Sequence, residues 1–573
     1  MNSLSPEGGW RAKKVFPGTN LDYNATVLER IYRYFTARPH LTLALAVVGL
    51  LGPFLDKPFH IDDPLFIRVA QHIWAQPLDP FGFSINWYGA PCPMWDATEN
   101  PPVACYFLAL VGGALGWSEV ALHLAFLLPA LAVGFGTYRL AKMFCRQPLF
   151  AALATVVMPA FVVSGTTLMC DMLMLAFWTW AMVFWLEGLK ENRGGKLLFA
   201  ALLMTLAMFT KYFGFCVVPL LVAWSLARGK RFKDWAGYFL LPLAALAAYQ
   251  WWTREVYGLP LFSAASSFAL SAWSPRFYPR MISLLQTLTF TGGCLAMVMF
   301  LSPQIWSWRK ITIAAAITAG GSLAIFASGM IQRRYPWLDL SVRPLVEIQI
   351  IFWAIGGVMV LLLVVDEWWK RDADGWLPGL WVAGTFLFAA LFNWTVNGRT
   401  ILPMAPAVGI LLARRLPSAS GWWMGMALGL SAALALLVAR ADYFYAATAR
   451  AGALQVLSRQ AGQAKPLWFQ GHWGFQAYLE VGGARAMDLK NPTLKPGDRL
   501  AIHLQNTSVL PPATNKATVI ERFDLPSPRW LATWNRAAGA GFYAATLGPL
   551  PFGFGRMPPE EFVIYQWSAV PLR

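Results

Sequence analysis

Residues 60–74 read HIDDPLFIRVAQHIW, and residues 76–106 continue as a loop rich in proline, glycine and aromatic residues. Acidic residues directly after a hydrophobic run are costly unless they face water, a partner or a substrate, so Asp62 and Asp63 predict a functional site. Asp63 followed by Pro64 also fits a helix start, with the aspartate as N-cap and the proline at the first helical position. The two interpretations of Asp63 stand equal, whereas Asp62 has no capping alternative and is the stronger chemical candidate.

The composition is that of a polytopic α-helical membrane protein. Of the 573 residues, 57% are hydrophobic and only 13% are charged, and the chain holds 29 Trp and 39 Phe. The net charge of +17 comes from basic residues in short loops between apolar runs, a pattern that sets membrane orientation. We therefore expect no nucleic-acid partner. The six cysteines have no metal-ligand spacing and are expected to carry no chemistry.

The hydrophobic runs predict about thirteen transmembrane helices, since a span needs about 17 to 25 mainly apolar residues. The runs lie near residues 41–55, 120–140, 149–166, 171–189, 197–210, 213–227, 236–253, 281–301, 311–330, 346–365, 376–394, 400–413 and 421–439. Basic residues before the first run predict a cytoplasmic N-terminus and therefore an external acidic stretch. The alternation that follows puts Asp171 on the same outer side as Asp62.

The predicted organisation has three parts: a cytoplasmic segment over residues 1–39, a transmembrane domain over residues 40–440 and a periplasmic or extracellular α/β domain over residues 441–573. Two long external loops, residues 56–118 and 254–280, interrupt the transmembrane domain. In the first loop, the apolar segment 101–115 predicts an interfacial helix. In the tail, KPLWFQ, DRLAIHL and ATVIERF predict strands. Two histidines near these strands, His472 and His503, are expected to be surface or packing residues, because neither has a partner at metal-ligand spacing.

Several arginines lie on the predicted outer side, although basic residues usually concentrate in the cytoplasmic loops. They are Arg333, Arg334, Arg343 and Arg399. An arginine fork suits phosphate, so these residues predict a site for an anionic headgroup. The alternative is that they reach lipid headgroups or pair with Asp339 and Glu347. For the first three arginines the two interpretations, a binding site or a lipid or ion-pair contact, stand equal. Arg399 has no nearby acid in the sequence, which favours a functional role.

The predicted outer side collects carboxylates, cations and aromatic rings. The charged members are Asp62, Asp63, Asp96, Glu99, Asp171, Lys211 and Arg399. Carboxylates accept hydrogen bonds from hydroxyl groups and rings stack on sugars, which favours a polyhydroxylated substrate. A carboxylate is also a natural general base for an attacking hydroxyl. Because nucleotide sugars are not supplied outside the membrane, an external sugar transferase needs a lipid-tethered donor, whose departing phosphate cations would stabilise.

Five motifs in this order resemble those of the lipid-linked-sugar glycosyltransferases of the C type, the GT-C superfamily, in the branch of bacterial aminoarabinose transferases and protein O-mannosyltransferases. They are Asp62-Asp63, Glu99-Asn100-Pro101-Pro102, Asp171 at the start of a span, the Lys211-Tyr212 turn in TKYFG, and Arg399 in NGRTILP. The resemblance covers about residues 40–440. Two positions depart from the family pattern: Asp63 stands where Glu is usual, and Asn100 stands where a basic residue is usual.

The resemblance implies a GT-C fold and sugar transfer, with inversion, from a polyprenyl-phosphate-linked donor to a glycolipid, polysaccharide or protein acceptor. It also implies a cell inner membrane location and a role in lipopolysaccharide or cell-envelope biosynthesis. By this resemblance Asp62 would be the base or orienting carboxylate, and Lys211 and Arg399 would face the donor phosphate. Together with the charge pattern it predicts Asp62, Asp63 and Asp171 as catalytic residues, and Glu99, Asn100, Lys211, Tyr212, Arg333, Arg334 and Arg399 as substrate-binding residues.

Three alternatives remain at this stage. Asp62 with Asp63 suits a divalent cation, although we expect no obligatory metal. A transporter or flippase for a lipid-linked or amphipathic solute would need charges near mid-membrane and broken helices related by an internal repeat, and no repeat is visible in the sequence. An oligosaccharyltransferase would carry Trp-Trp-Asp in an external domain, but the double tryptophans at 251–252, 368–369 and 422–423 are followed by Thr, Lys and Met.

Overall fold

The computed structural model describes residues 27–271, 277–338, 341–417 and 421–568. It divides into two units, residues 1–42 and residues 43–573. In the smaller unit Val27–Thr36 is a helix, and a second helix begins at Pro39, where a helix tolerates proline because its first N–H groups have no intrahelical partner. The basic residues before residue 27, which contribute to the predicted orientation, lie outside the described residues.

The chain is mainly helical, as expected for apolar segments that must satisfy their backbone hydrogen bonds internally. In chain order the α-helices are α1 (Val27–Thr36), α2 (Pro39–Leu51), α3 (Asp63–Ala75), α4 (Met94–Ala97), α5 (Val103–Leu115), α6 (Glu119–Ala141), α7 (Pro148–Val156), α8 (Pro159–Gly165), α9 (Asp171–Glu191), α10 (Gly194–Thr210), α11 (Val217–Ala227), α12 (Leu240–Tyr257), α13 (Leu261–Ser271), α14 (Phe277–Cys294), α15 (Met297–Ile305), α16 (Trp308–Ala327), α17 (Met330–Arg334), α18 (Arg343–Trp369), α19 (Ala373–Leu391), α20 (Gly398–Ile401), α21 (Ala405–Arg415), α22 (Gly421–Gln460) and α23 (Trp473–Val481). Short 3-10 helices lie at Gly52–Phe54, Tyr212–Cys216, Phe232–Asp234, Ala236–Phe239 and Leu402–Met404.

The protein is a multi-pass membrane protein, although the predicted number of spans is not confirmed. Among the described residues, six helices are long and apolar enough to cross a membrane: α6, α9, α16, α18, α19 from Asp374, and α22. Two bent helix pairs raise this number to eight if each pair is one span. Three further predicted runs form the shorter apolar helices Pro39–Phe54, Gly194–Thr210 and Tyr212–Ala227, which fall below or near the lower limit of about 17 residues for a span.

Both bent pairs correspond to runs predicted as single spans. The helices α7 and α8 meet at 60°, and Met158 between them is extended because the following Pro159 disfavours helical geometry. The helices α14 and α15 meet at 85°. Gly292, just before this second bend, lets α14 approach α18 closely, since a Cβ there would lie 1.8 Å from the carbonyl oxygen of Trp353.

The first predicted external loop is well ordered into local elements. It contains α3, a two-stranded hairpin of β1 (Ser84–Asn86) and β2 (Pro91–Pro93), α4 and α5. The helix predicted over 101–115 is confirmed as α5 (Val103–Leu115). In the second predicted loop, α12 extends to Tyr257 and α13 follows, while residues 272–276 lie outside the described residues.

The tail begins as a continuation of a long helix. Helix α22 has 40 residues, so residue 441, where we predicted the external domain to begin, lies in its middle. After it come β3 (Leu467–Gln470), β4 (Arg485–Ala486), β5 (Arg499–His503), β6 (Ala517–Leu525), β7 (Leu531–Ala532), β8 (Trp534–Asn535), β9 (Ala540–Gly541), β10 (Gly553–Phe554) and β11 (Glu560–Trp567). The three strands predicted in the tail are confirmed as β3, β5 and β6.

Five tail strands form one mixed sheet in the order β4-β3-β5-β11-β6. Strand β3 runs parallel to β4 and β5, whereas β11 runs antiparallel to β5 and β6. Helix α23 packs on this sheet through Phe475 and Leu479, which share an apolar cluster with Phe469 and Phe562. The order of α-helix and strands is that of a small α/β unit.

The hairpin of the first loop contacts this tail. The Asn86 side chain donates to the carbonyl of Met487 at 3.0 Å, and the Gln476 side chain donates to the carbonyl of Asn86 at 2.9 Å. Nearby, the amide of Leu489 donates to the carbonyl of Gly89 at 2.7 Å. The acidic stretch is therefore anchored at one end by the tail.

A second part of the tail, residues 526–559 between β6 and β11, returns to the helical part of the chain. The amide of Gly398 donates to the carbonyl of Phe542 at 2.7 Å, and the amide of Ala545 donates to the carbonyl of Val396 at 2.7 Å. Glycine is required at 398, because a Cβ there would lie 2.4 Å from the ring of Phe542. This segment therefore braces the turn that carries Arg399.

Candidate active site

The acidic pair lies at the start of α3, but neither residue caps the helix. Asp62 occupies the N-cap position without a side-chain capping bond, and Asp63 is the first helical residue. The capping interpretation of Asp63 is wrong, because its carboxylate binds backbone amides elsewhere: Oδ2 accepts from the amide of His60 at 3.0 Å and Oδ1 from the amide of Leu168 at 2.8 Å. Asp63 therefore joins the first external loop to the turn before α9.

Asp63 is fully buried, and burial raises its pKa to about 7. Both of its oxygens are occupied by backbone donors, so it has little capacity for substrate. This geometry favours a structural role for Asp63 and leaves Asp62 as the carboxylate of the pair with free acceptor sites.

The backbone directly before the pair is strained. Ile61 has a φ of 46°, although it is a buried β-branched residue for which the left-handed region is strongly disfavoured. Such outliers persist only where the surrounding structure enforces them, and they cluster at functional sites. Directly after the strained residue, Asp62 contacts Arg399 while Asp63 binds the amides of His60 and Leu168.

Four charged side chains from separate parts of the chain meet in one cluster. Lys211 Nζ lies 2.5 Å from Asp171 Oδ1. Arg399 lies between the two acids, with Nη2 3.4 Å from Asp62 Oδ2 and Nη1 3.7 Å from Asp171 Oδ2. The structure thus brings together Asp62, Asp171, Lys211 and Arg399, all of which the sequence singled out.

Local sequence explains how each partner is placed. Asp171 is the first residue of α9, where the helix dipole favours a negative charge. Lys211 directly follows α10, at the break before the Tyr212–Cys216 turn. Arg399 lies in the short helix α20, which Asn397 caps by accepting the amide of Thr400 at 2.8 Å.

The cluster has a buried side and an accessible side. Asp171 is 1% exposed and Arg399 13%, whereas Lys211 is 23% and Asp62 29% exposed. Burial raises the pKa of Asp62, while Arg399 opposes this rise and Asp171 adds to it. Asp62 therefore combines access to solvent with a basicity above that of an ordinary aspartate.

A small cleft beside the cluster contains the second predicted motif. Glu99, Asn100 and Tyr212 line it together with Trp95 and Asp96. The cleft adjoins the charged cluster because Asn100 Oδ1 accepts from Cys170 Sγ at 3.5 Å, one residue before Asp171, and Tyr212 directly follows Lys211. Burial raises the pKa of Glu99 to about 7, and Asp96 adds to the rise.

Tyr88 was not singled out from the sequence, yet it lies near both halves of the site. Although the side chain is 57% exposed, desolvation of its hydroxyl raises the pKa of the phenol, and Asp62, Glu99 and Asp96 raise it further. Its hydroxyl donates to the carbonyl of Ala97 at 3.4 Å. The only sequence signal for Tyr88 is its place in the aromatic loop.

Behind the cluster lies a buried polar network that the sequence did not predict as a unit. Asp442, in α22, has no exposed surface and accepts from Lys57 Nζ at 2.6 Å, His60 Nε2 at 3.2 Å, Thr533 Oγ1 at 2.5 Å and the Tyr543 hydroxyl at 2.7 Å. It joins the first loop, α22 and the returning tail segment. The sequence contained one signal for this network. Asp442 is an acidic residue at the end of an apolar run, where such a residue usually has a functional or structural role.

The network reaches the cluster through Tyr543. The guanidinium carbon of Arg399 lies 5.7 Å from the centre of the Tyr543 ring, within the range of a cation–π contact. The same tyrosine donates its hydroxyl to Asp442. Tyr543 is therefore held in place by one buried charge and contacts another.

The remaining predicted arginines lie outside this cluster in the described part of the chain. Arg333 and Arg334 are exposed on α17, and Arg333 donates to the carbonyl of Ser328 at 2.8 Å. Arg343 forms an ion pair with Glu347 at 2.7 Å, as its alternative interpretation predicted, whereas Asp339 lies outside the described residues. Substrate binding by Arg333 and Arg334 stays a prediction without a structural link to Asp62.

The tail histidines are buried and hydrogen-bonded rather than exposed. His472 Nδ1 lies 2.9 Å from the carbonyl of Trp87, and burial lowers the pKa of His472 to about 3. His503 Nε2 lies 2.7 Å from Glu560. Within the described residues no group of three or more His, Cys, Asp or Glu side chains is arranged to hold a metal ion. Binding of a divalent cation by Asp62 and Asp63 stays an alternative prediction; in the structure each Asp63 oxygen accepts one backbone amide.

Part of the chain matches the model of a known protein family. Residues 99–253 match the family model of dolichyl-phosphate-mannose-protein mannosyltransferases. The matched part contains Glu99, Asn100, Asp171, Lys211 and Tyr212. It confirms the resemblance to lipid-linked-sugar glycosyltransferases of the C type for the three motifs that it contains, whereas Asp62-Asp63 and Arg399 lie outside the matched part. No curated protein matches the chain in sequence.

Several solved structures share distant similarity with most of the chain. ArnT from Cupriavidus metallidurans bound to undecaprenyl phosphate is 14% identical with a TM-score of 0.45, over 83% of this chain and 94% of that chain. The Archaeoglobus fulgidus oligosaccharyltransferase tethered with an acceptor peptide is 12% identical with a TM-score of 0.47, over 79% of this chain and 64% of that chain. The arabinofuranosyltransferase AftD from Mycobacteria is 14% identical with a TM-score of 0.39, over 94% of this chain and 40% of that chain.

Proposed function

We propose that the protein is an integral-membrane glycosyltransferase with a GT-C fold. It moves a sugar from a polyprenyl-phosphate-linked donor to a hydroxyl group of a glycolipid, polysaccharide or protein on the outer face of the cell inner membrane. The observation that carries the proposal is the cluster of Asp62, Asp171, Lys211 and Arg399, in which an accessible carboxylate lies 3.4 Å from a phosphate-suited cation. The family match over residues 99–253 supports the same class.

Asp62 is the proposed general base. Its carboxylate takes the proton of the acceptor hydroxyl while the hydroxyl oxygen attacks the anomeric carbon of the donor. The bond between that carbon and the phosphate oxygen breaks, and the lipid phosphate leaves with the electron pair. A single displacement inverts the anomeric centre, and the only other carboxylate of the cluster, Asp171, is 1% exposed and paired with Lys211, which does not suit a nucleophile.

Arg399 and Lys211 stabilise the departing phosphate in this proposal. Arg399 Nε is buried and has no hydrogen-bond partner among the described residues, so a donor is available for an anion. Lys211 uses one of its three N–H donors on Asp171. Fixed cations at a developing negative charge lower the barrier without reorganisation during the reaction. Asp171 holds both cations in position and is a positioning residue.

The cleft of Glu99, Asn100 and Tyr212 is the proposed sugar-binding part of the site. Carboxylate and amide oxygens accept hydrogen bonds from sugar hydroxyls, and Trp95 offers an aromatic face for stacking. The Tyr88 phenol is close to Asp62 and to the cleft residues Glu99 and Asp96. A sugar in the cleft would have its anomeric carbon near the charged cluster.

A transporter for a lipid-linked solute is the second candidate. The two bent helix pairs favour it, because transporters build substrate sites at breaks in membrane helices. The charged cluster argues against it, since Asp62 at the N-cap of α3 and Arg399 in the short helix α20 do not belong to either bent pair. Transfer chemistry is therefore the better account of the site.

The test is transfer of labelled sugar from a panel of polyprenyl-phosphate sugars by the full-length protein in membranes. We expect Asp62→Asn to lower the rate by about 10²–10⁴-fold, the usual contribution of a general base. Asp56→Asn is the matched control, because Asp56 is an exposed aspartate six residues earlier whose partner is Tyr443. Full activity in Asp62→Asn would reject Asp62 as the base. Movement of donor lipid across the membrane without any transfer would replace the proposal by transport.

A further inference from the structure

A second cavity lies on the far side of α22 from the candidate site. It has a volume of about 350 Å³ and lies between α22 and the tail segment 526–531. Leu437, Arg440 and Phe444 line it from the helix, and Arg529 and Trp530 line it from the tail. None of these residues takes part in the cluster around Arg399.

The cavity combines two cations with exposed apolar side chains. Arg440 and Arg529 are both exposed, and no carboxylate of the described residues lies within ion-pair distance of either. The guanidinium carbon of Arg440 lies 4.9 Å from the centre of the Phe444 ring. Phe444, Trp530 and Leu437 are themselves 42%, 51% and 42% exposed. Large apolar groups beside unpaired arginines are unusual on a surface that faces only water.

The position along α22 indicates the level of lipid headgroups. Residues 421–439 of this helix are apolar, the helix is long and apolar enough to cross a membrane, and Arg440 is the first charged residue after that run. Arginine and tryptophan at the end of a span are typical of the membrane interface. An anionic headgroup is the ligand that this level of the membrane supplies.

The face of the helix separates this cavity from the donor phosphate. Leu437, Arg440 and Phe444 are spaced three and four residues apart and share one face of α22. Asp442, two residues from both Arg440 and Phe444, points to the opposite face, where it binds Lys57. A phosphate held by Arg440 therefore cannot be the phosphate that departs near Arg399.

We propose that this cavity binds the headgroup of an anionic membrane phospholipid. Arg440 and Arg529 hold the phosphate, and Leu437, Phe444 and Trp530 contact the glycerol and the upper acyl chains. The bound lipid also steadies the segment 526–531, which continues into Thr533, a hydrogen-bond partner of Asp442. The proposal does not depend on the proposed transferase activity.

The test uses the full-length protein in nanodiscs that contain a small fraction of phosphatidylglycerol carrying a diazirine near its headgroup. After irradiation, we expect cross-links on peptides covering residues 437–444 and 526–531. Arg440→Gln and Arg529→Gln should each lower this cross-linking by about fivefold, as expected for one cation near an anionic surface. Arg485→Gln is the matched control, since Arg485 is also an exposed tail arginine but lies on β4. Gel filtration verifies that each variant is folded.

Three outcomes would overturn the assignment. Undiminished cross-linking in the double variant Arg440→Gln/Arg529→Gln would show that the arginines do not hold the lipid. Equal cross-linking by a zwitterionic phosphatidylcholine probe would show that charge does not matter. Displacement of the probe by a trace of undecaprenyl phosphate, with no effect of the same amount of inorganic phosphate, would assign the cavity to the polyprenyl carrier instead.

Discussion

At the scale of single residues, Asp62 and Asp63 show how neighbours in sequence acquire different roles. Both residues stand at the start of α3, directly after the strained backbone of Ile61. One carboxylate is buried among backbone amides, and the other stays accessible beside Arg399. The pair is a single motif in the sequence, but the structure separates it into a part that builds the site and a part available for chemistry.

The pKa of Glu99 predicts a pH-dependent component of sugar transfer. Burial raises this pKa to about 7, so Glu99 is ionised above pH 7 and becomes protonated below it. If the carboxylate accepts sugar hydroxyls, kcat/KM should fall as the pH drops through 7. In Glu99→Gln the rate should be lower above pH 7, and this inflection should be absent. The measurement is a pH profile of kcat/KM, and an unchanged inflection in Glu99→Gln would assign it to another group.

At the scale of elements, α22 is the helix that connects the candidate site to the tail. One of its faces carries Asp442, which binds Lys57 and His60 from the first loop and Thr533 and Tyr543 from the tail. The other carries Arg440 and Phe444 at the second cavity. A buried carboxylate with several partners is strongly dependent on them, because a charge left unpaired in the interior is costly.

Removal of Lys57 should therefore destabilise the protein strongly. We expect Lys57→Met to lower the free energy of unfolding by about 3–5 kcal/mol, since Asp442 would keep its charge without a cation. Lys57→Met/Asp442→Asn should recover part of this loss. The measurement is the unfolding transition in detergent. Lys310→Met is the control, because the Lys310–Asp366 pair has the same 2.6 Å separation but a 40% exposed lysine, and it should cost about 1 kcal/mol or less.

At the scale of the whole molecule, the tail completes the candidate site. The hairpin of the first loop is hydrogen-bonded to residues near α23, and the segment 526–559 braces the turn of Arg399. Tyr543 belongs to this segment and contacts both Asp442 and Arg399. The tail is thus part of the architecture that positions the charged cluster around Arg399.

Two substitutions at Tyr543 should separate its effect on stability from its effect on donor use. Tyr543→Phe keeps the ring beside Arg399 but loses the hydrogen bond to Asp442, so we expect a loss of about 1.5–3 kcal/mol in stability and little change in the KM for donor. Tyr543→Ala also loses the cation–π contact and should raise the KM for donor several-fold. Steady-state kinetics with folded protein measures both effects. Equal KM values in the two variants would contradict a role of the ring in positioning Arg399.

Much of this architecture could be predicted from local sequence. Apolar runs predicted a helical membrane protein, and four of the five short motifs predicted the charged residues that the structure brings together around Arg399. The number of spans could not be predicted in the same way, because hydropathy does not reveal where a run is bent, as at Pro159, or too short to cross a bilayer. The predicted N-cap of α3 was also displaced by one residue, from Asp62 to Asp63. The Asp63 carboxylate binds the amide of Leu168, outside its own helix, instead of capping α3.

By itself the sequence determined which segments form apolar helices and which residue types are available for chemistry. Both follow from the cost of placing polar groups in an apolar medium. Only the tertiary structure decided which of these groups meet. Asp442 and Lys57 are separated by 385 positions, and Tyr543 reaches Arg399 from a different part of the tail than the predicted strands. Such pairings depend on the packing of distant elements, which leaves no periodic pattern in the sequence.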